Sequence, residues 1–376
     1  MMKRRDLIRV VAGSAGLFAA APLLAQDGAI AAGRSTGRTG PRNLITDVPG
    51  IRVGCAADAA VRTGATVIVG DGLLEAAIDV RGGGPGTRES DVMDTHNLVH
   101  AVNAVVLSGG SSYGLAAADG VAAALGAQGI GYGGMARPGV PVSPIVTGAI
   151  LYDLANGGDK AWGTEPPYRA LGMRALAAAQ ADGANFALGT SGAGYGAMSG
   201  GLKGGLGSAS TVASDGFTVG AIVAVNSMGS TVAPGTRHFW ASPFEIGDEF
   251  GGLPPRALYA SPEEWGHARE PAARENTTIA CIATDLALTA DEMKRVAMMA
   301  QDGLARAIRP VHTPFDGDVV FALSTGRSQP VEPRHVAVLK AGAIAADTLA
   351  RAIARAVYSA HAPPGADVTT WRDLPG

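Results

Sequence analysis

The chain has 376 residues, with 30 Lys and Arg against 33 Asp and Glu for a net charge of -3, 47% hydrophobic residues and 54 Gly. This length suffices for one large domain or two smaller ones with a substantial core, and the Gly excess implies many tight turns and close backbone approaches. The charge gives no footing for nucleic acid or an anionic membrane, and Cys55 and Cys281 allow at most one disulfide; both lie in small apolar surroundings, read as buried thiols, and lack the spacing of a zinc site.

In chain order, Lys3, Arg4 and Arg5 precede an apolar run from Val10 to Ala25, the layout of a cleaved export signal over residues 1–26. Arg4-Arg5 followed by Asp6-Leu7-Ile8 looks like the twin-arginine kind, and the run falls short of the roughly 20 apolar residues of a spanning helix. With four basic side chains and Asp6 removed, the net charge goes from -3 to -6 and the mature protein is periplasmic or secreted, without stable membrane association. Residues 27–42, rich in Gly, Ser and Arg, read as a disordered lead.

From residue 43 onward the pattern is one of alternating strands and helices. β-Branched clusters bounded by turn residues predict strands at 65–70, 101–110, 217–227, 277–285 and 318–325, and helices fall between or after them at 112–127, 167–183, 289–308 and 334–360. Thr289 with Glu292 three residues on marks a capping-box start. In the strand at 277, Ile279, Cys281 and Ala283 alternate with Ala280, Ile282 and Thr284, so neither face is strongly polar and both are expected to be covered. The interleaving predicts α/β layering in a single domain over 43–376. The longest stretch without obvious structure, 235–276, ends at Thr277, and loops of that length tend to be functional.

Several motifs point away from familiar chemistries. In the Gly-rich run 192–210, Lys203 follows Leu202 and precedes Gly204, which is not the Gly-Lys-Ser/Thr of a phosphate loop. Gly192-Ala193-Gly194 with Asp215 is too loose for a dinucleotide fingerprint. His96 and His100 are spaced i, i+4, but Asn97 stands where a zinc hydrolase needs Glu, so a structural or surface role is expected. No metal or organic cofactor is suggested.

More informative is Thr277 together with Asp316 and Asp318. The two carboxylates, two residues apart at the start of a strand, are able to face one side and converge on one group; alone, Asp-Gly-Asp reads as a turn or weak cation site. A threonine hydroxyl needs a neighbouring base to become nucleophilic, and its own α-amino group, which titrates near 8, serves once Thr277 is N-terminal. That requires breaking the Asn276–Thr277 peptide bond, by attack of the Thr277 hydroxyl on the Asn276 carbonyl and hydrolysis of the resulting ester.

At these residues the sequence resembles the DmpA-like aminopeptidase family of N-terminal-nucleophile hydrolases, and more narrowly its threonine branch containing the nylon-oligomer hydrolase NylC. The matching segments, between Asn43 and Val357, are "DVPGIRVG", "GATVIV", "DVRGGGPGTRESD", "VVLSGGSSYGLAAADGV", "GAGYGA", "ENTTIACIATD" and "HTPFDGDVVFALST". The resemblance implies a four-layer αββα sandwich shared with ornithine acetyltransferases, assembled as a homotetramer, and self-cleavage into an α chain ending at Asn276 and a β chain of 277–376. It also implies Thr277 as nucleophile, Asp316 and Asp318 as the acidic pair near it, Lys203 as a supporting lysine, Asn226 as the group that polarises the carbonyl, and Tyr152 on the substrate side. The better-known aminopeptidases of the family carry Ser where Thr277 stands. The expected substrates are short peptides with a free N-terminus, β-peptides, amino-acid amides and 6-aminohexanoate oligomers. Two rivals are acyl transfer to an amine and a non-catalytic periplasmic binding protein whose chain stays whole.

Overall fold

In the computed structural model, residues 37–133, 138–259, 261, 263–270 and 276–375 are described. The expected export signal therefore lies outside the described residues. The strands are β1 (Ile51–Asp58), β2 (Thr63–Val80), β3 (Thr87–Arg88), β4 (Ala101–Ser108), β5 (Val146–Ile150), β6 (Met198–Ser199), β7 (Leu202–Lys203), β8 (Gly205–Val212), β9 (Thr218–Asn226), β10 (Thr277–Leu286) and β11 (Val319–Ser328). The helices are α1 (Ala116–Ala127), α2 (Tyr168–Asp182), α3 (Ala290–Ala307) and α4 (Arg334–Tyr358). Each strand and helix expected from the sequence is among them. Thr289 closes the capping box at the start of α3, its backbone N–H donating to Glu292 at 2.9 Å.

Side-chain alternation divides these elements into four layers. Ala280 and Ile282 of β10, Val320 and Ala322 of β11 and Val223 of β9 pack on Met293 and Val296 of α3 and Leu349 and Ile353 of α4. The alternate residues of the same strands, Ile279, Cys281, Phe321 and Ile222, meet Val53, Ile68, Val105 and Leu107 from β1, β2 and β4. The far face of β2 and β4, with Val67, Val69, Ala104 and Val106, is covered by α1 and α2 through Val121, Leu125, Leu171 and Leu176. The order is helix, sheet, sheet, helix, and a strand in either sheet is apolar on both sides, as read for 277–285.

The two sheets are one hydrogen-bonded path, in the order β3-β5-β4-β2-β11-β10-β9-β8, with β1 on β2. The join is β2, whose Thr63–Gly70 half pairs with β1 while its Glu75–Val80 half pairs with β11. Between these halves the pairing with β4 slips register, between Val69 and Leu74, and there the strand passes from one layer to the other.

Six strands escaped the sequence reading: β1, β5, the two-residue β3, β6 and β7, and β8, "GLGSASTV", which lies inside the Gly-rich run. Its composition follows from packing: a Cβ on Gly207 would stand 1.9 Å from the Ala352 carbonyl oxygen, so α4 rests directly on the strand's backbone. Residues 37–42, at the end of the expected lead, lie along β8, where Arg38 and Val212 exchange backbone hydrogen bonds and the Gly40 N–H donates to Ser210 Oγ. Pairing here satisfies an edge strand that otherwise faces solvent. His96–His100 is a loop, so its spacing does not put both rings on one helical face. Cys55 and Cys281 are free thiols.

The described part of 235–276 carries no strand, only a 3-10 turn at Ser242–Phe244, and a buried ion pair ties it down. Glu249 accepts from Arg351 Nε at 2.5 Å and Nη2 at 3.0 Å, while the same guanidinium reaches Ser210 O, Thr211 Oγ1 and Asn43 Oδ1. Burial alone would raise the Glu249 carboxyl, but the Arg351 hydrogen bonds and charge outweigh it and hold it below its ordinary value. Arg351→Met leaves this buried carboxylate with Arg355, 3.7 Å away, as its remaining cationic partner; denaturant unfolding is expected to show a loss on the order of 3 kcal/mol.

Candidate active site

β10 begins at the expected cut. Thr277 pairs with Asn226 at the end of antiparallel β9, and the strand continues in parallel register with β11. Thr277 shares the face of Ile279 and Cys281, and Asn226 that of Ala224 and Ile222, all four in the layer between the sheets. Both polar residues thus stand at one end of that layer.

The peptide carbonyl before Thr277 is held by two donors. Thr277 Oγ1 donates to Asn276 O at 2.5 Å, and the Gly317 N–H donates to the same oxygen at 2.9 Å. Asn276 itself forms a parallel bridge with Asp316 and is buried, and neither its Nδ2 nor its Oδ1 has a hydrogen-bond partner among the described residues. Gly317 admits no substitute: a Cβ there would lie 2.7 Å from Thr277 Oγ1 and 2.8 Å from Gly84 O. The loop 81–86, the "RGGGPG" of the sequence, clamps this segment from outside, with Gly84 N–H on Asp316 O at 2.8 Å and Gly83 N–H on Thr313 O at 3.2 Å.

Asp316 and Asp318 do not converge on one group. Asp316 accepts from the Met228 N–H at 3.3 Å and from Thr313 through its N–H at 3.0 Å and hydroxyl at 2.6 Å. Asp318 accepts from the Thr278 N–H at 2.8 Å and, on its other oxygen, from His312 through its backbone N–H at 3.1 Å and ring Nδ1 at 2.9 Å. The reason is local: Asp318 stands immediately before β11 and accepts from the β10 backbone at Thr278, whereas Asp316 lies two residues further back and is enclosed by the turns at 228 and 313. Burial, and then the charge of Asp318, raise the Asp316 carboxyl above its ordinary value. His312 received no role from the sequence, although it lies in the quoted "HTPFDGD"; only its contact with Asp318 distinguishes it.

The remaining expected residues gather around the turn "GAGYGA". Asn226 donates through Nδ2 to Tyr152 O at 3.0 Å and accepts the Met198 N–H on Oδ1 at 2.9 Å, contacts that fix which way its amide faces. Tyr152 enters this network through its backbone carbonyl. Lys203 is buried, and its Nζ donates to Gly194 O at 3.1 Å, Ala197 O at 2.8 Å and Gly204 O at 2.8 Å. Three carbonyls match the three N–H of an ammonium, while burial lowers its pKa to about 7 and Asp153 pulls the other way. Asp153, which the sequence reading did not single out, is pushed by burial up to about 6 against donors Thr63 and Gly110. A Cβ on Gly196 would stand 2.7 Å from Asp153 Oδ2, so the turn is threaded between the two charges. The Ala197–Met198 peptide therefore joins Lys203 to Asn226, the residue that pairs with Thr277.

The model of peptidase family S58 matches residues 43–370. An uncharacterized aminopeptidase of Mycobacterium leprae is 43% identical over 349 residues, covering 86% of this chain and 92% of the relative. A 6-aminohexanoate-oligomer endohydrolase of Agromyces sp. is 30% identical, covering 78% and 77%. Among solved structures, a Burkholderia sp. beta-aminopeptidase aligns with a TM-score of 0.64 at 25% identity over 90% of this chain and 94% of its own. The L-aminopeptidase D-Ala-esterase/amidase of Ochrobactrum anthropi, described as a variant of the Ntn hydrolase fold, aligns at 0.61 with 22% identity over 89% and 90% and speaks to the fold. The fold and the relatives define an amide-bond hydrolase of Ntn type. The chain belongs to peptidase family S58, the DmpA-like aminopeptidases.

Two outcomes follow from the geometry. Gly317→Ala displaces the Thr277 hydroxyl and is expected to lower hydrolysis of a chromogenic amino-acid amide on the order of 10²-fold. For Lys203, the unfolded chain holds a proton between pH 7 and 10.5 that the folded one releases, so this group's contribution to stability rises with pH across that window. Relative to Lys203→Met, the wild type is expected to gain about 1.4 kcal/mol per pH unit above 7 in denaturant unfolding.

Proposed function

We propose that the protein activates itself by cutting the Asn276–Thr277 bond and then hydrolyses short amides through an ester on Thr277. The observation that carries this reading is the carbonyl of Asn276, which accepts both the Thr277 hydroxyl and the Gly317 N–H. In the self-cleavage step Thr277 Oγ1 bonds to the Asn276 carbonyl carbon, the C–N bond breaks, and the hydroxyl proton ends on the departing nitrogen. Water then hydrolyses the ester, leaving a carboxylate on Asn276 and a free hydroxyl and α-amine on Thr277. During the tetrahedral stage the developing oxyanion keeps the Gly317 donor, a fixed dipole that needs no reorganisation. Parting of the chain also frees the buried Asn276 side-chain amide to be hydrated, which favours cleavage over religation.

In the catalytic cycle the α-amine of Thr277 takes the hydroxyl proton as Oγ1 attacks the substrate carbonyl, and gives it to the leaving amine. It then deprotonates the water that releases the acid. Asn226 supplies a neutral donor to the substrate oxyanion, Lys203 orders the turn that orients Asn226, and Asp316 and Asp318 hold the strand ends around Thr277. Tyr152 lies on the substrate side. Relatives named as aminopeptidases and as a 6-aminohexanoate-oligomer endohydrolase support short peptides, amino-acid amides and 6-aminohexanoate oligomers as the substrate class. The reading includes export through residues 1–26 and assembly as a homotetramer, supported by the basic and apolar run at the N-terminus and by the family resemblance.

Intact mass and N-terminal sequencing, on wild type beside Thr277→Ala, test the proposal. Wild type is expected to yield a fragment beginning Thr277-Thr278-Ile279 and to hydrolyse amino-acid amides, and the variant to stay whole and inactive. An intact wild type with full activity would sink the threonine mechanism. An added amine acceptor that diverts the product to a transferred amide would reassign the enzyme as an acyltransferase.

A further inference from the structure

The contact between His312 and Asp318 is unexplained by the chemistry above. Alternation places Thr277 with Ile279 on the face between the sheets and Thr278 with Ala280 on the face toward α3 and α4. The His312–Asp318 pair meets β10 at the backbone N–H of Thr278.

We propose that His312 is a positioning residue for Thr277: it holds the Asp318 carboxylate in place, and Asp318 in turn fixes the peptide plane between Thr277 and Thr278. The Thr278 N–H that Asp318 accepts at 2.8 Å belongs to that plane, and a planar peptide transmits its orientation to the Thr277 Cα. On the other side of the same residue, the Gly317 N–H fixes the Asn276 carbonyl at 2.9 Å. Thr277 is therefore gripped through both of its flanking peptides, and the 2.5 Å approach of its hydroxyl to Asn276 O depends on both grips.

Asp318 is buried, and two of its three donors come from His312. Donation to a carboxylate requires the proton on Nδ1, and Nε2 is buried without a hydrogen-bond partner among the described residues. The backbone of His312 has φ of 54°, in the left-handed region that Gly and Asn adopt with little strain. Histidine is among the non-Gly residues that enter this region more often than most, and what its ring supplies there is the hydrogen bond to Asp318.

Two substitutions respect this backbone. His312→Asn keeps a side-chain N–H at comparable reach, and His312→Gly removes it without adding strain. The first readout is the first-order rate constant of the cut at Asn276–Thr277 per folded full-length precursor, with the folded fraction measured by near-UV circular dichroism; it rests on the Thr277 reading. His312→Gly is expected to slow the cut on the order of 10²-fold while His312→Asn stays within about threefold of wild type. The second readout does not rest on that reading. In the Thr277→Ala background, hydrogen exchange at the Thr278 amide is expected to accelerate about tenfold or more with His312→Gly and to stay protected with His312→Asn. If the Asn variant cuts as slowly as the Gly variant while its Thr278 amide stays protected, chemistry at Nε2 replaces positioning and the proposal is overturned. It is equally overturned if His312→Gly lowers the unfolding midpoint yet leaves the rate constant and the Thr278 exchange unchanged. If wild type is never cut, the Thr277 reading fails by itself, and the Thr278 exchange alone decides the role of His312.

Discussion

The carbonyl of Asn276 is the point on which the rest of the site depends. Placing two hydrogen-bond donors on one peptide oxygen, one of them the side chain of the next residue, requires that the chain on both sides of the bond be immobile. The antiparallel register of Thr277 with Asn226 fixes one side, and the bridge between Asn276 and Asp316 fixes the other. Each of these strands is buried on both faces, so the constraint is transmitted from the cores rather than created locally. Loose packing at Phe321 or Ile282 would be felt at the bond as misplacement of the hydroxyl.

Glycine has the same purpose in several of the runs that invite a phosphate-loop reading. At Gly317, Gly196 and Gly207 the neighbouring atoms stand where a Cβ would be, and those neighbours are Thr277, Asp153 and the backbone of α4. The loop at 82–84 contributes backbone N–H groups to the Asp316–Asp318 segment and carries no phosphate pattern. These glycines permit close approach of backbone to backbone, which is how a hydroxyl, two carboxylates and a lysine fit at the ends of a two-sheet interior.

Charge in this interior is kept apart and individually satisfied. Lys203 is surrounded by three carbonyls, Asp153 by a hydroxyl and a backbone N–H, Asp318 by three donors and Asp316 by three. Burial destabilises the charged forms of Lys203, Asp153 and Asp316, and for Asp316 the neighbouring carboxylate adds to it, so these three are more readily neutral than in solution. Such groups are sensitive to small geometric changes, and this gives the surrounding turns their functional weight.

Strands at 277–285 and 318–325, the four long helices and the capping box at Thr289 were legible in the sequence because each carries a local pattern: alternation, β-branching or a cap. The boundary at Asn276-Thr277 was legible as well, since a charged loop meeting a two-sided apolar strand is a local event, and the family resemblance pointed to Asn226 and Lys203. What local pattern could not express is which groups meet. β8 is written in Gly, Ser and Ala because α4 lies on it, and that is a property of α4's position. Asp316 and Asp318 both precede β11 but serve different partners, because Asp318 reaches the β10 backbone at Thr278 while Asp316 is enclosed by the turns at 228 and 313. The Gly317 N–H and Asp153 owe their places to contacts between segments far apart in the chain, and only the packing of four layers brings those segments together; His312 lies six residues from Asp318, and no local pattern marks their contact.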